Sequence, residues 1–175
     1  MEQITGRERI YKGRVVTLDI LSVTLPDGVQ SKREVVQHPG AVAIVALDDE
    51  QNVILVRQYR IAAAQYMVEI PAGTLEPDEP PALCAERELQ EEAGYKPGKL
   101  ESMGGMYVAP GYTTEYIHLF LARDLTASDL PADDDEFIDV VKMPLASALA
   151  QIDSGEIDDG KTVAGILRAA RRLNR

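Results

Sequence analysis

Glu88, Glu91 and Glu92 stand three and four residues apart in this chain. On a helix that spacing sets three carboxylates on one face, while Ala85, Leu89 and Ala93 make an apolar stripe on another. Like charges so placed cost only about 0.2–0.5 kcal/mol per pair on an exposed helix, so a solvated acidic surface is energetically allowed. The other reading is a seat for a hard cation. Mg2+ and Mn2+ take oxygen ligands and keep several waters, so two or three carboxylates plus one backbone carbonyl suffice. A turn at Gly73, just ahead of the helix, is placed to present that carbonyl.

The helix that must carry these groups is expected over Pro81–Ala93: proline is tolerated in a first turn and Gly94 supplies the stop. Ahead of it, Ala41–Leu47 is the longest uninterrupted apolar run, and with residues 53–58 it forms a pair of β-branched stretches joined by the polar turn 48–52. Both read as central strands. Residues 16–25 alternate apolar and polar, meet Pro26-Asp27-Gly28 and continue into an extended stretch at 32–37, which reads as an N-terminal hairpin. Further strands are expected near 99–106, 115–121 and 137–142, followed by a mostly helical tail from Leu145. The class is mixed α/β around a central sheet.

Bulk properties narrow the chemistry. At 175 residues with 45% apolar side chains the chain suffices for one compact core. Seven apolar residues in a row fall far short of the roughly 20 needed to span a bilayer, and residues 1–9 lack the pattern of a signal peptide, so a cytoplasmic protein without a membrane partner is expected. The single cysteine, Cys84, fits a reducing compartment and reads as a helix-packing residue. A formal charge of −11 opposes nucleic-acid binding. The basic run Arg168, Arg171, Arg172 and Arg175 reads as compensation of a helix dipole. Arg57 and Arg60 flank an apolar-aromatic stretch and are suited to grip phosphate oxygens, the alternative being ion pairing with the acidic excess. His38 and His118 are too isolated to suggest a metal or nucleophile site.

From Gly73 to Tyr95 the chain resembles the Nudix box, G-x5-E-x7-R-E-U-x-E-E-x-G-U with U apolar, at every fixed identity: Gly73, Glu79, Arg87, Glu88, Glu91, Glu92 and Gly94. The one departure is Tyr95, where aliphatic side chains are more usual. Similarity to the ADP-ribose pyrophosphatase branch extends through Arg33-Glu34-Val35-Val36, Val56-Arg57-Gln58-Tyr59-Arg60, Glu69-Ile70-Pro71-Ala72-Gly73, Pro110-Gly111-Tyr112-Thr113-Thr114-Glu115 and the stretch from Gly155 to Thr162.

The resemblance implies a Nudix α/β/α sandwich with a mixed central sheet and an N-terminal antiparallel hairpin. Residues 1–37 would form a dimerising region and 38–175 the Nudix domain, in a homodimer. It implies Mg2+ or Mn2+ held by Glu88, Glu91, Glu92 and the carbonyl of Ala72, with Arg87 orienting the carboxylates and Glu79 bracing the loop. Related enzymes place an acidic general base on a distant loop. In 131–137 the best match is Glu136, with Asp134 second and the metal alone as the remaining alternative. Substrate contacts fall to Arg33, Arg57, Arg60 and Pro110, the last also readable as a plain turn residue. The implied reaction is attack of water, made acidic by the cation, on a phosphorus of ADP-ribose, releasing AMP and ribose 5-phosphate. Another nucleoside-diphosphate sugar such as GDP-mannose is the nearest alternative substrate. A Nudix module that senses a nucleotide without cutting it is the alternative of a different class.

Overall fold

The computed structural model describes residues 1–128, 130 and 137–174. The chain folds as two compact units, residues 1–40 with 107–116, and residues 41–106 with 117–175.

The first unit is built on a three-stranded antiparallel sheet in the order β1 (Gln3–Lys12), β2 (Thr17–Thr24), β3 (Gln30–Gln37). The expected hairpin is β2–β3, in register from Thr17 opposite Gln37 to Thr24 opposite Gln30. Its turn closes through Leu25 N–H to the Val29 carbonyl (2.8 Å) and Asp27 Oδ1 accepting from Val29 N–H (3.1 Å). β1 is an addition to the sequence reading. It mixes both charges and is exposed along nearly its whole length, so no alternation marks it; pairing with β2 makes it a strand. Fully buried Asp19 on β2 answers Arg9 on β1 at 3.1 Å. The segment 107–116 joins the sheet's end: Val36 N–H donates to the Tyr112 carbonyl (2.8 Å) and Thr114 N–H to that of Val36 (3.0 Å).

The second unit carries a seven-stranded mixed sheet in the order β10 (Asp139–Pro144), β5 (Asn52–Arg60), β4 (Ala41–Leu47), β9 (Tyr116–Ala127), β8 (Tyr95–Tyr107). The short strands β6 (Gln65–Glu69) and β7 (Ala72–Thr74) pair with β5 and β4. β4 runs parallel to β9 and antiparallel to β5 and β7. All seven residues of β4 are buried, because both faces of the strand are covered. Ala43, Val45 and Leu47 pack with Ala148, Ile166 and Ala169 of helices α2 (Leu145–Ser154) and α3 (Gly160–Leu173). Val42, Ile44 and Ala46 pack with Cys84, Ala85, Leu89 and Ala93 of α1 (Pro81–Ala93). Alternation along one strand thus produces an α/β/α sandwich.

Helix α1 has the expected bounds, with proline in its first turn and Gly94 at φ 72°, where the Gly94 N–H bonds the Gln90 carbonyl. That left-handed conformation suits glycine and ends the helix. The C-terminal arginines do more than face a dipole. Arg171 and Arg172 lie in the last turn of α3, but Arg168 donates to the carbonyls of Met103 and Gly105 and Arg172 to that of Ser102, tying α3 to β8. Arg175 lies outside the described residues.

Candidate active site on the loop and helix from Gly73 to Gly94

Cys84, Ala85, Leu89 and Ala93 of α1 face the core with Glu92 buried beside them, while Arg87, Glu88 and Glu91 form a partly exposed face. Arg87 stands at the centre of that face. Its guanidinium donates through Nε and Nη2 to the two oxygens of Glu79 (3.0 and 3.1 Å) and through Nη1 to Glu91 (2.8 Å). The same Nη1 lies 2.8 Å from Glu88 Oε1. The Arg87 hydrogen bond is the main influence on Glu79, outweighing burial and holding its carboxyl down at about 2 from an ordinary 4.5. In return Glu79 raises the affinity of Arg87 for its proton. Glu79 also accepts from the Glu76 N–H (3.1 Å), so the loop ahead of the helix is bound to the helix itself.

Glu92 is buried, and its Oε2 accepts the Ala72 N–H at 2.8 Å. Register explains why that amide is available. Ile44 N–H bonds the Pro71 carbonyl and Ala43 lies opposite Ala72, so the 43–72 pair is the non-hydrogen-bonded kind. Both the N–H and the carbonyl of Ala72 therefore point away from β4. Next to it, a Cβ on Gly73 would fall inside the Glu88 carboxylate; glycine alone leaves room for that close approach.

The donor set fits a hard divalent cation, since every candidate ligand is a carboxylate or carbonyl oxygen. Among the described residues no group of three or more acidic, histidine or cysteine side chains is arranged to hold a metal ion by itself. A cation here would rest on few protein ligands and keep much of its water, the usual habit of Mg2+.

The structure joins Arg87 to Glu88 and Glu91, and Glu92 to the Ala72 amide. Arg60 lies within electrostatic reach of Glu92 but is held by Glu69, with Nε and Nη2 each 2.7 Å from a carboxylate oxygen. Burial pushes the Glu69 carboxyl upward, yet Arg60 and Lys161 outweigh it and hold the group below its ordinary range. Arg57 pairs with Asp139 at 3.5 Å and lies over the Tyr66 ring at 4.1 Å. Of the two readings open for these arginines, the ion pairs are what the structure displays. In the first unit, Arg33 pairs with Glu2 and borders a cavity of about 390 Å3 shared with Ile20, Lys32 and Tyr112. Pro110 sits in a turn closed by Tyr112 N–H on the Ala109 carbonyl (3.1 Å). Glu136 and Asp134 lie outside the described residues. Cys84 is wholly buried as expected, and burial, reinforced by Glu79, pushes its thiol well up.

Residues 37–166 match the model of the NUDIX domain. The chain belongs to the Nudix family. This Nudix chain is 42% identical over 167 residues to the ADP-ribose pyrophosphatase of Bacillus subtilis (strain 168), covering 94% of this chain and 90% of that one. A relative from Bacillus methanolicus, named methanol dehydrogenase activator, matches with the same identity and coverage. Among solved structures, one described as an ADP compounds hydrolase superposes with a TM-score of 0.88 over 99% of this chain and 94% of its own; at 24% identity it establishes the shared fold. Glu69, Asp159, Lys161 and Thr162 of this Nudix chain have no role that spacing or residue type alone suggests. Their only signal in the sequence is the similarity of the stretches 69–73 and 155–162 to one branch of the family.

Proposed function

We propose that this Nudix chain is a divalent-metal-dependent hydrolase that cuts the pyrophosphate of ADP-ribose into AMP and ribose 5-phosphate. The observation that carries the reading is the oxygen-rich loop and helix from Gly73 to Gly94, where Arg87 holds Glu79, Glu88 and Glu91 and Glu92 is tied to the Ala72 amide. The 42% identity to a protein named for this substrate supports the choice. A net charge of −11 opposes an anionic substrate, so local positive charge is needed on binding grounds as well.

In this reading Glu88, Glu91, Glu92 and the Ala72 carbonyl hold Mg2+ or Mn2+. When bound, the cation offsets phosphate charge and makes water acidic enough to attack near neutral pH. Arg87, anchored on Glu79, keeps the carboxylates apart and aimed. A guanidinium has five donors, so the two that Arg60 spends on Glu69 leave others for a phosphate oxygen. Arg57, Arg33 and Pro110 complete the assigned substrate contacts. Glu136 takes the proton from the attacking water, with Asp134 as the alternative. The working form is a homodimer joined through residues 1–37, and the setting is the cytoplasm.

The test is hydrolysis of ADP-ribose, GDP-mannose and other nucleoside-diphosphate compounds with Mg2+, with Mn2+ and in excess chelator, with products identified. AMP and ribose 5-phosphate formed fastest, only with metal, is the expected result. Faster release of GMP from GDP-mannose would reassign the substrate, and nucleotide binding without turnover would make the chain a sensor. Glu136→Gln should lower kcat strongly with little change in KM, because that contact strengthens only in the transition state.

A further inference from the structure

Between β6 and β7 the strand pairing of β5 and β6 has ended, and the buried N–H of Ile70 needs another partner. Thr162, from the first turn of α3 and fully buried, supplies it: its Oγ1 accepts the Ile70 N–H at 2.9 Å. A hydroxyl has one proton and two lone pairs. The proton goes to Asp159 Oδ2 at 2.6 Å, and the same carboxylate oxygen accepts the Thr162 N–H at 2.9 Å. With the rotor committed to Asp159, its acceptor side is aimed at Ile70. Lys161 closes the group through ion pairs to Asp159 and to Glu69, the residue before Ile70.

The next two residues are pinned just as firmly. The Pro71 carbonyl accepts from Ile44 N–H at 2.8 Å, and Ala72 N–H reaches Glu92. Three consecutive residues are thus held from three separate elements, α3, β4 and α1, and planar peptides leave little freedom between the pins. We propose that Thr162 is a positioning residue for the cation site: through Asp159 and Ile70 it sets the direction of the Ala72 carbonyl relative to Glu92. This rests on the assignment of Ala72 and Glu92 as ligands.

The test measures Mn2+ binding to nucleotide-free protein by electron paramagnetic resonance of the free ion, alongside hydrogen exchange of the Ile70 amide. Thr162→Val, isosteric but without the hydroxyl, should weaken Mn2+ binding by about tenfold, the scale usual when a group supporting a metal ligand is lost. Thr162→Ser should restore it. Should Thr162→Val fail to fold, Asp159→Ala, which removes the acceptor of the hydroxyl proton together with the cap on the Thr162 N–H and the Lys161 ion pair, should still weaken Mn2+. Val53→Ala trims the core of the same unit at the far end of β5, opposite Leu47 and Met143, and should lower stability with Mn2+ affinity intact. Wild-type affinity in Thr162→Val or Asp159→Ala overturns the proposal, as does an equal loss in Val53→Ala. A wild-type protein that binds no Mn2+ overturns this proposal and the ligand assignment together, whereas wild-type binding with unaffected variants overturns this proposal alone.

Discussion

Arg87 answers Glu79, Glu88 and Glu91 with one guanidinium, while Glu92 is tied to a backbone amide instead. The four carboxylates are therefore not equivalent under substitution. Glu92→Gln keeps an oxygen able to accept the Ala72 N–H but loses the charge. Turnover should fall by about a hundredfold or more with the melting profile little changed, and steady-state kinetics with near-normal kcat would move the cation elsewhere. Acid sensitivity belongs to the same scale. Burial raises the Asp48 carboxyl, but Lys142 and the Asn52 amides outweigh it and leave the group at about 2 instead of 3.8. Because the folded value is the lower one, this contribution is fully present above about pH 4 and is lost as pH falls toward 2. Glu79, lowered from 4.5 to about 2, acts in the same direction. Urea midpoints should drop between pH 5 and pH 3, with a shallower drop in Asp48→Asn; an identical slope would show that Asp48 holds its proton no differently in the folded and unfolded chain.

At the scale of elements, the close passage of α1 over Gly73 is the feature most open to test. Gly73→Ala asks Glu88 to vacate the space its carboxylate occupies. The variant should fold, since the displaced group is a side-chain end, but bind Mn2+ more weakly; titration showing unchanged affinity would remove Glu88 from the ligand set. Local pattern made α1 legible to the residue, because Pro81 and Gly94 are punctuation that any helix must obey. It also made β4 legible, since a strand covered on both faces reads as an unbroken apolar run. β1 was not legible, because its strand character comes from β2 and not from its own exposed, charged residues. β7 is three residues long and carries no periodicity at all. The bond from Ile70 to Thr162 spans 92 positions, beyond the reach of any spacing argument. Residue type left Arg57 and Arg60 open between phosphate contact and ion pairing, and their partners Asp139 and Glu69 are visible only once strands are paired.

For the whole molecule, the question is what covers β1. Ile4, Ile10 and Tyr11 are exposed on it, an unusual amount of apolar surface for an edge strand, although Arg7, Glu8, Arg9 and Lys12 interrupt it with charge. A homodimer that buries these side chains would account for the surface. Sedimentation should give twice the chain mass, 19.2 kDa, and removal of residues 1–12 should yield a monomer with little activity. Full activity in that monomer would show that a second copy adds nothing to the site.

Cys84 turns the stability of the site into something that can be timed. Its sulfur lies 3.8 Å from the Thr74 carbonyl, at the junction of the Gly73 loop and α1, and is shut off from solvent. A thiol reagent can reach it only during moments when helix and loop part, so the labelling rate counts those openings. A ligand that binds only the closed form must slow the count in proportion to its occupancy. One chemical reaction on one atom would thus read cation affinity without any substrate being turned over.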